Sequence, residues 1–239
     1  MNQTATLYKL RRTVSTIPVL SDGAKAIYRF IASAQQSDAF RSSPEYWETR
    51  YTKGGNSGAG SYGRLSQYKA DIINNFVVEH GVESVIEFGC GDGAQLQLAN
   101  YSKYTGVDVS WQALDICQEK FKDDKTKRFV HLSAAARRSE RADLVLSLDV
   151  IYHLVEDEVF FDYMNRLVSS AERYICIYSS DVDAPGPAPH IRHRYFTDWM
   201  TRVAPAWNLI QQLPNIYPYD PLNPNETSWS DFFFYSRCG

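Results

Sequence analysis

Seven residues constrain this chain more than any others: Glu87-Phe88-Gly89-Cys90-Gly91-Asp92-Gly93, set where a short apolar run gives way to a helical pattern. Residues 84–88 read as a buried strand, and the spacing beyond Gly93 predicts a helix over Ala94–Tyr101. Glycine at 89, 91 and 93 lets the backbone turn sharply and approach a ligand closely. In an open α/β sheet such a turn belongs at the carboxyl ends of the strands, where ligands bind.

The remaining pattern agrees with a sheet of that kind. Further strands are expected at Tyr104–Val109, Arg128–Leu132, Asp143–Leu148, Tyr174–Tyr178, Leu209–Leu213 and Asp231–Tyr235. Helices fit between them at Ser110–Phe121, Asp157–Ala171 and Phe196–Val203. Apolar strands alternating with amphipathic helices define a largely parallel sheet covered on both faces. Ahead of the turn, a helix begins near Leu65 with Tyr68, Ile72, Ile73, Phe76 and Val77 on one face, and Gly81 ends it.

Residues 1–64 read as a helical extension and a glycine-rich lid, and 65–239 as the main domain. Within the extension, residues 1–20 show no period, and one helix is expected over Gly23–Gln36. A second starts near Pro44, where Ser42 and Glu45 have capping-box spacing. Residues 54–63, with five glycines, are expected to be a mobile loop.

Bulk properties exclude several classes. Lys and Arg number 25 against 28 Asp and Glu, a formal net charge of -3, which lacks the basic field of a non-specific nucleic-acid binder. Cys90, Cys117, Cys176 and Cys238 form no Cys-x-x-Cys pair, so neither a disulfide framework nor a metal site is expected. No apolar run approaches the roughly 20 residues that cross a bilayer. A cytoplasmic protein with no membrane partner is the expectation; oligomeric state is not legible.

The cofactor class is open on the glycines alone. Asp108 ends the second strand about 20 residues after the turn, where an acid can hold two ribose hydroxyls. Gly89-Cys90-Gly91-Asp92-Gly93-Ala94 also satisfies the dinucleotide pattern, so an NAD-dependent oxidoreductase is the alternative. Charge separates the two. Glu87 and Asp92 would repel a pyrophosphate, whereas they would attract a sulfonium and an ammonium group.

Three segments resemble class I S-adenosylmethionine-dependent methyltransferases: Val85–Gly93 their first motif, Gly106–Ser110 their second-strand motif, and Asp143–Leu154 their fourth-strand segment. The resemblance covers about residues 65–236. It implies a Rossmann-like, seven-stranded sheet with an antiparallel last strand, and S-adenosylmethionine as cofactor with S-adenosylhomocysteine as product. It also implies that the glycine turn (Glu87, Gly89, Cys90, Gly91) holds the methionine half, while Asp108 and Val109 hold the ribose side. The family's acid after the third strand is missing here; Leu132 and Ser133 stand at that place and are assigned to adenine. A Tyr-Trp…Arg-Tyr opening like that at Tyr46 and Arg50 can cover the cofactor in such enzymes.

Loops after the later strands supply the acceptor side. His153 is the candidate base, because imidazole titrates near neutrality. Asp149, which ends the fourth strand, is assigned to cofactor and catalysis. Tyr152, His190, Arg192 and His193 are candidate acceptor contacts, with Arg192 suited to a carboxylate or phosphate. The expected reaction is methyl transfer to a small-molecule or carbohydrate acceptor, through oxygen. Asp149-Val150-Ile151-Tyr152 lacks the prolines common in nucleic-acid amino methyltransferases, so no nucleic-acid acceptor is expected. A non-catalytic cofactor-binding protein is the remaining alternative.

Overall fold

The computed structural model describes residues 40–138 and 140–238; the expected helix Gly23–Gln36 and residues 1–20 lie outside them. Residues 40–239 form one compact unit, so the segment between 40 and 64 belongs to the same body as the sheet.

Seven strands, β1 (Val85–Phe88), β2 (Tyr104–Asp108), β3 (Lys127–His131), β4 (Ala142–Leu148), β5 (Ala171–Ser179), β8 (Trp207–Leu213) and β9 (Asp231–Arg237), make one sheet in the order β3-β2-β1-β4-β5-β9-β8. The first five run parallel, β9 pairs antiparallel with β5, and β8 pairs antiparallel with β9. A short hairpin of β6 (Ala184–Pro185) and β7 (Arg192–His193) follows β5. The strand order reverses direction between β1 and β4, and the ligand crevice of an open α/β sheet lies at such a switch.

Among the described residues the helices are α1 (Ser43–Thr52), α2 (Gly63–Glu79), α3 (Trp111–Lys120), α4 (Leu132–Arg138), α5 (Asp157–Ser170) and α6 (Phe196–Val203). Period-two alternation divides the strand side chains between two cores. Ile86, Phe88, Val145, Ile175 and Ile177 meet Phe160, Met164 and Leu167 of α5 and Trp199 of α6. Val85, Tyr104, Leu144, Leu146 and Cys176 meet Ile73, Phe76 and Val77 of α2 and Leu114 of α3. Around β1, β2, β4 and β5 both faces are dry, which is why these parallel strands read as near-continuous apolar runs rather than alternating ones.

Two local expectations need correction. Only Gln95–Leu98 forms helix between β1 and β2, as a single 3-10 turn. Asn74 of α2 explains the early stop: its side chain donates to the Leu98 carbonyl (2.9 Å) and accepts from the Asn100 amide (2.9 Å), and Ala99 is already extended. The glycine-rich segment 54–63 is anchored, not free. Asp92 Oδ2 accepts from the Ser57 amide (3.0 Å) and the Tyr62 hydroxyl (2.7 Å), and Ser57 Oγ accepts from the Asp92 amide (3.0 Å). Ala59–Ser61 forms a 3-10 turn between those anchors.

The start of α1 follows the sequence signal. Ser42 Oγ accepts from the Glu45 amide (3.3 Å), and Pro44 occupies the first turn. Ser43 Oγ then donates to Glu156 Oε2 (2.6 Å) and fastens the helix to the loop after β4.

Candidate active site

The carboxyl ends of β1, β2 and β4 open into a cleft of about 880 Å³, solvent mouth included. Gly89, Gly91 and Cys90 form its floor, and Asp108, Val109 and Leu132 one wall. Two glycines are required by space as well as by φ. A Cβ on Gly89 (φ +82°) would lie 2.4 Å from Val150 Cγ2, and one on Gly91 (φ +56°) 2.3 Å from Ser57 Oγ.

Asp108 organises the turn through the backbone. Its Oδ2 accepts from the Gly91 amide (2.9 Å) and its Oδ1 from the Ser110 amide (2.9 Å). Burial pushes its carboxyl up, against the opposing pull of these amides. Glu87 is buried beside it, with the Tyr104 hydroxyl donating to Oε2 (2.6 Å). Burial lifts Glu87 to about 7 despite that bond and the nearby Lys69 ammonium. The thiol of Cys90 is pushed well up by its bond to Cys117 and by burial, which removes it as a nucleophile.

Contrary to the expectation from the sequence, Asp92 does not turn its charge toward the cleft. Both Asp92 oxygens are occupied, Oδ1 by the Ala94 amide (3.0 Å) and Oδ2 by the segment above. Burial opposes ionisation, but the bonds from Tyr62, Ser57 and Ala94 outweigh it and hold the carboxyl below its usual range. Of the two acids of the glycine turn, Glu87 is the one that lines the cleft.

Asp149 ends β4 with φ 60°, a left-handed conformation uncommon outside glycine. Three donors converge on it: Lys69 Nζ on Oδ2 (2.7 Å), and the hydroxyls of Tyr152 and Ser230 on Oδ1 (3.0 Å each). That network holds the strained residue in place. His153 lines the same cleft and is ordered through Nδ1, which lies 3.1 Å from the His190 carbonyl. A carbonyl only accepts, so Nδ1 carries the proton and Nε2 keeps its lone pair. Burial lowers the imidazole to about 4, so it is neutral at pH 7. The Trp47 ring meets it edge-on at 4.8 Å.

The sequence-derived site divides accordingly. Glu87, Gly89, Cys90, Gly91, Asp108, Val109, Leu132, Asp149 and His153 line the cleft. Ser133 is exposed and bonds His131 Nδ1 (2.8 Å) instead. Tyr46 and Arg50 stand one helical step off the cleft face of α1; Ser43, Trp47 and Tyr51, spaced four apart, occupy it. Tyr46 stacks on His190 (4.2 Å), and Arg50 bonds the Asn56 carbonyl (2.7 Å). Tyr152 acts through Asp149. His193 bonds Ser180 Oγ (2.7 Å), and Arg192 bonds Asp157 (2.9 Å) and the Val155 carbonyl (3.1 Å). These acceptor-loop residues brace the site from behind. Sequence reading missed Lys69 and Gln95, which also line the cleft. The available signal was a lysine one residue from Tyr68, within the apolar stripe of α2.

Comparisons with known proteins agree with this architecture. Residues 86–176 match the family model of the methyltransferase domain. No curated protein matches the chain. Among solved structures, the N-methyltransferase NodS from Bradyrhizobium japonicum WM9, in complex with S-adenosyl-L-homocysteine, aligns with TM-score 0.61 at 14% identity, over 82% of this chain and 99% of that one. Magnesium protoporphyrin IX methyltransferase from Synechocystis PCC 6803, with S-adenosylmethionine bound, aligns with TM-score 0.57 at 18% identity, over 93% and 100%. The methyltransferase domain of bacterial CtHen1-C gives 0.59 at 17%, over 74% and 100%. This chain thus has the class I methyltransferase fold, with residues 86–176 matching the methyltransferase-domain model and neighbours of that fold that bind S-adenosylmethionine or S-adenosylhomocysteine.

Proposed function

We propose that this protein methylates a hydroxyl of a small polar or carbohydrate-like acceptor, with S-adenosylmethionine as donor and His153 as general base. The observation that carries the reading is the state of His153: neutral, lining the donor cleft, with Nδ1 fixed on the His190 carbonyl and Nε2 left as an acceptor. Nitrogen acceptors with a free lone pair need no such base, whereas a hydroxyl does.

The residues present fit the donor. Asp108 stands where ribose hydroxyls are held, Val109 and Leu132 give an apolar wall for adenine, and Gly89 and Gly91 leave room for close backbone approach. When bound, the donor supplies a methyl carbon on a positively charged sulfur, which departs as a neutral thioether. This chain's part is alignment, exclusion of water and removal of one proton. His153 Nε2 accepts the hydroxyl proton as the acceptor oxygen forms its bond to carbon. Asp149, held by Lys69, Tyr152 and Ser230, keeps the β4 end rigid beside the base. Arg192 and His193 support the acceptor loop from behind.

The test is transfer of a labelled methyl group to a panel of sugars, phosphorylated small molecules, amines and short RNA. Labelling of hydroxyl compounds that is lost in His153→Ala supports the reading. Labelling confined to amines or RNA, or a fully active His153→Ala variant, overturns it.

A further inference from the structure

Behind one wall of the cleft described above lies a second cavity, of about 590 Å³ with its solvent mouth included. Its floor is the α5 face of the sheet, where Ile86 and Phe88 of β1 and Val107 of β2 are buried. The space is left open because α4 is only seven residues long, whereas α5 runs for fourteen. Leu132 and Ala135 of α4 close one side, and the end of α5 closes the other. Phe88, Val107 and Leu132 also line the first cleft, so the two spaces share a wall.

The mouth differs from the floor in charge. It lies at the amino-terminal edge of the sheet, where Glu140 and the exposed Arg141 precede β4 and Arg166 and the exposed Ser169 precede β5. Glu140 is held by Arg128, which bonds both of its oxygens (2.8 and 2.5 Å). Arg166 is half-buried, and among the described residues its guanidinium has neither a hydrogen bond nor an ion pair. A guanidinium offers five N–H donors and stays charged throughout the working range of pH. Set at the rim of an apolar pocket whose acid is already neutralised, it complements a ligand that is apolar along its length and anionic at one end.

We propose that this cavity binds a medium-chain carboxylic acid, its hydrocarbon chain on Ile86, Phe88 and Val107 and its carboxylate on Arg166. The occupant packs against the back of Leu132 and stiffens the wall shared with the first cleft. On the reading of that cleft as the donor site, the acid favours donor binding, and the donor favours the acid by the same factor.

Calorimetric titration of the full chain with octanoate, octylamine and acetate tests the site with no donor present. Octanoate is expected to bind more tightly than about 1 mM. Octylamine reverses the charge and acetate lacks the chain, so each should bind at least about tenfold more weakly. Arg166→Gln should weaken octanoate about threefold to tenfold, and Ala135→Phe, which fills the cavity from α4, should abolish its binding. Melting curves check that both variants fold; if Ala135→Phe does not, Arg166→Gln decides alone. No octanoate binding, equal binding of octylamine, or unchanged octanoate affinity in either folded variant overturns the site. Saturating octanoate should then tighten S-adenosylhomocysteine binding by about fivefold. Octanoate binding with no such change overturns the coupling. A chain that binds octanoate but no S-adenosylhomocysteine overturns the donor reading and leaves the second site standing.

Discussion

The two halves of the cleft, donor and acceptor on the reading proposed above, are built by opposite means. On the donor side, residues close in sequence do the work through main-chain geometry: Gly89 and Gly91 supply space, and one carboxylate, Asp108, gathers the amides of Gly91 and Ser110. On the acceptor side, side chains far apart in sequence hold one another. His190 joins Tyr46 to His153, Ser230 and Lys69 meet at Asp149, and Arg192 and Arg194 meet at Asp157. A backbone-defined site tolerates no change at a few positions. A side-chain-defined site distributes its dependence, and single losses on its periphery are small.

The largest effect is therefore expected at the donor turn. Asp108→Ala releases two buried amides together and should reduce affinity for S-adenosylhomocysteine by at least about a hundredfold in calorimetry. Retained affinity would mean the donor half is not organised by that carboxylate. Next comes His153, where the acceptor half does have a single point of failure. His153→Ala should lower kcat by about a hundred- to ten-thousandfold and leave donor affinity nearly unchanged. In the wild-type protein at saturating donor, kcat should hold through neutral pH and fall only as the pH drops toward about 4, where the buried imidazole takes a proton. A loss of donor affinity equal to the loss of turnover would erase the division between halves.

A smaller effect concerns pH and the donor. Because Glu87 titrates at about 7, it is partly protonated at neutrality. A cationic donor favours the carboxylate form, so affinity should rise as the pH increases through about 7, by no more than tenfold per unit, and Glu87→Gln should flatten the curve. The smallest effect is expected at Arg192. Its partly exposed pair with Asp157 is worth about 0–1 kcal/mol, so Arg192→Ala should shift melting slightly and turnover less than the other changes. A collapse of activity in that variant would make Arg192 an acceptor contact after all.

The same division explains what the sequence disclosed. All seven strands of the main sheet were legible: β1, β2, β4, β5 and β9 because burial produces apolar runs that need no partner to be recognised, and the less buried edge strands β3 and β8 from their place in the alternation of strands and helices. The donor turn was legible because its requirement is local: glycine is demanded at fixed offsets by a clash at Gly89 and another at Gly91. Trp47 and Tyr51 were displaced by one helical step toward Tyr46 and Arg50, since spacing shows which residues share a face but not which face looks inward. Lys69 and Gln95 were invisible as site residues. A lysine in an apolar stripe is ordinarily a stem covering the core with its charge in water, and only the position of β4 shows that this one ends on Asp149. Arg192 was overvalued because a basic run gives no sign of the acid, Asp157, that neutralises it from 35 residues upstream.

The fastening of the glycine-rich segment bears on time as well as on shape. Ser57 and Ser61 of that segment border the cleft, and Asp92 bonds it at Ser57 and at Tyr62. Ordering such a cover on arrival of the donor would subtract from affinity; the bonds to Asp92, made within the protein, lessen that cost. The consequence expected of the latch is for traffic. Donor entry and thioether departure past this border are expected to wait on the same bonds letting go, so a firmer latch should lengthen the dwell of either ligand while leaving their equilibrium preference unaltered.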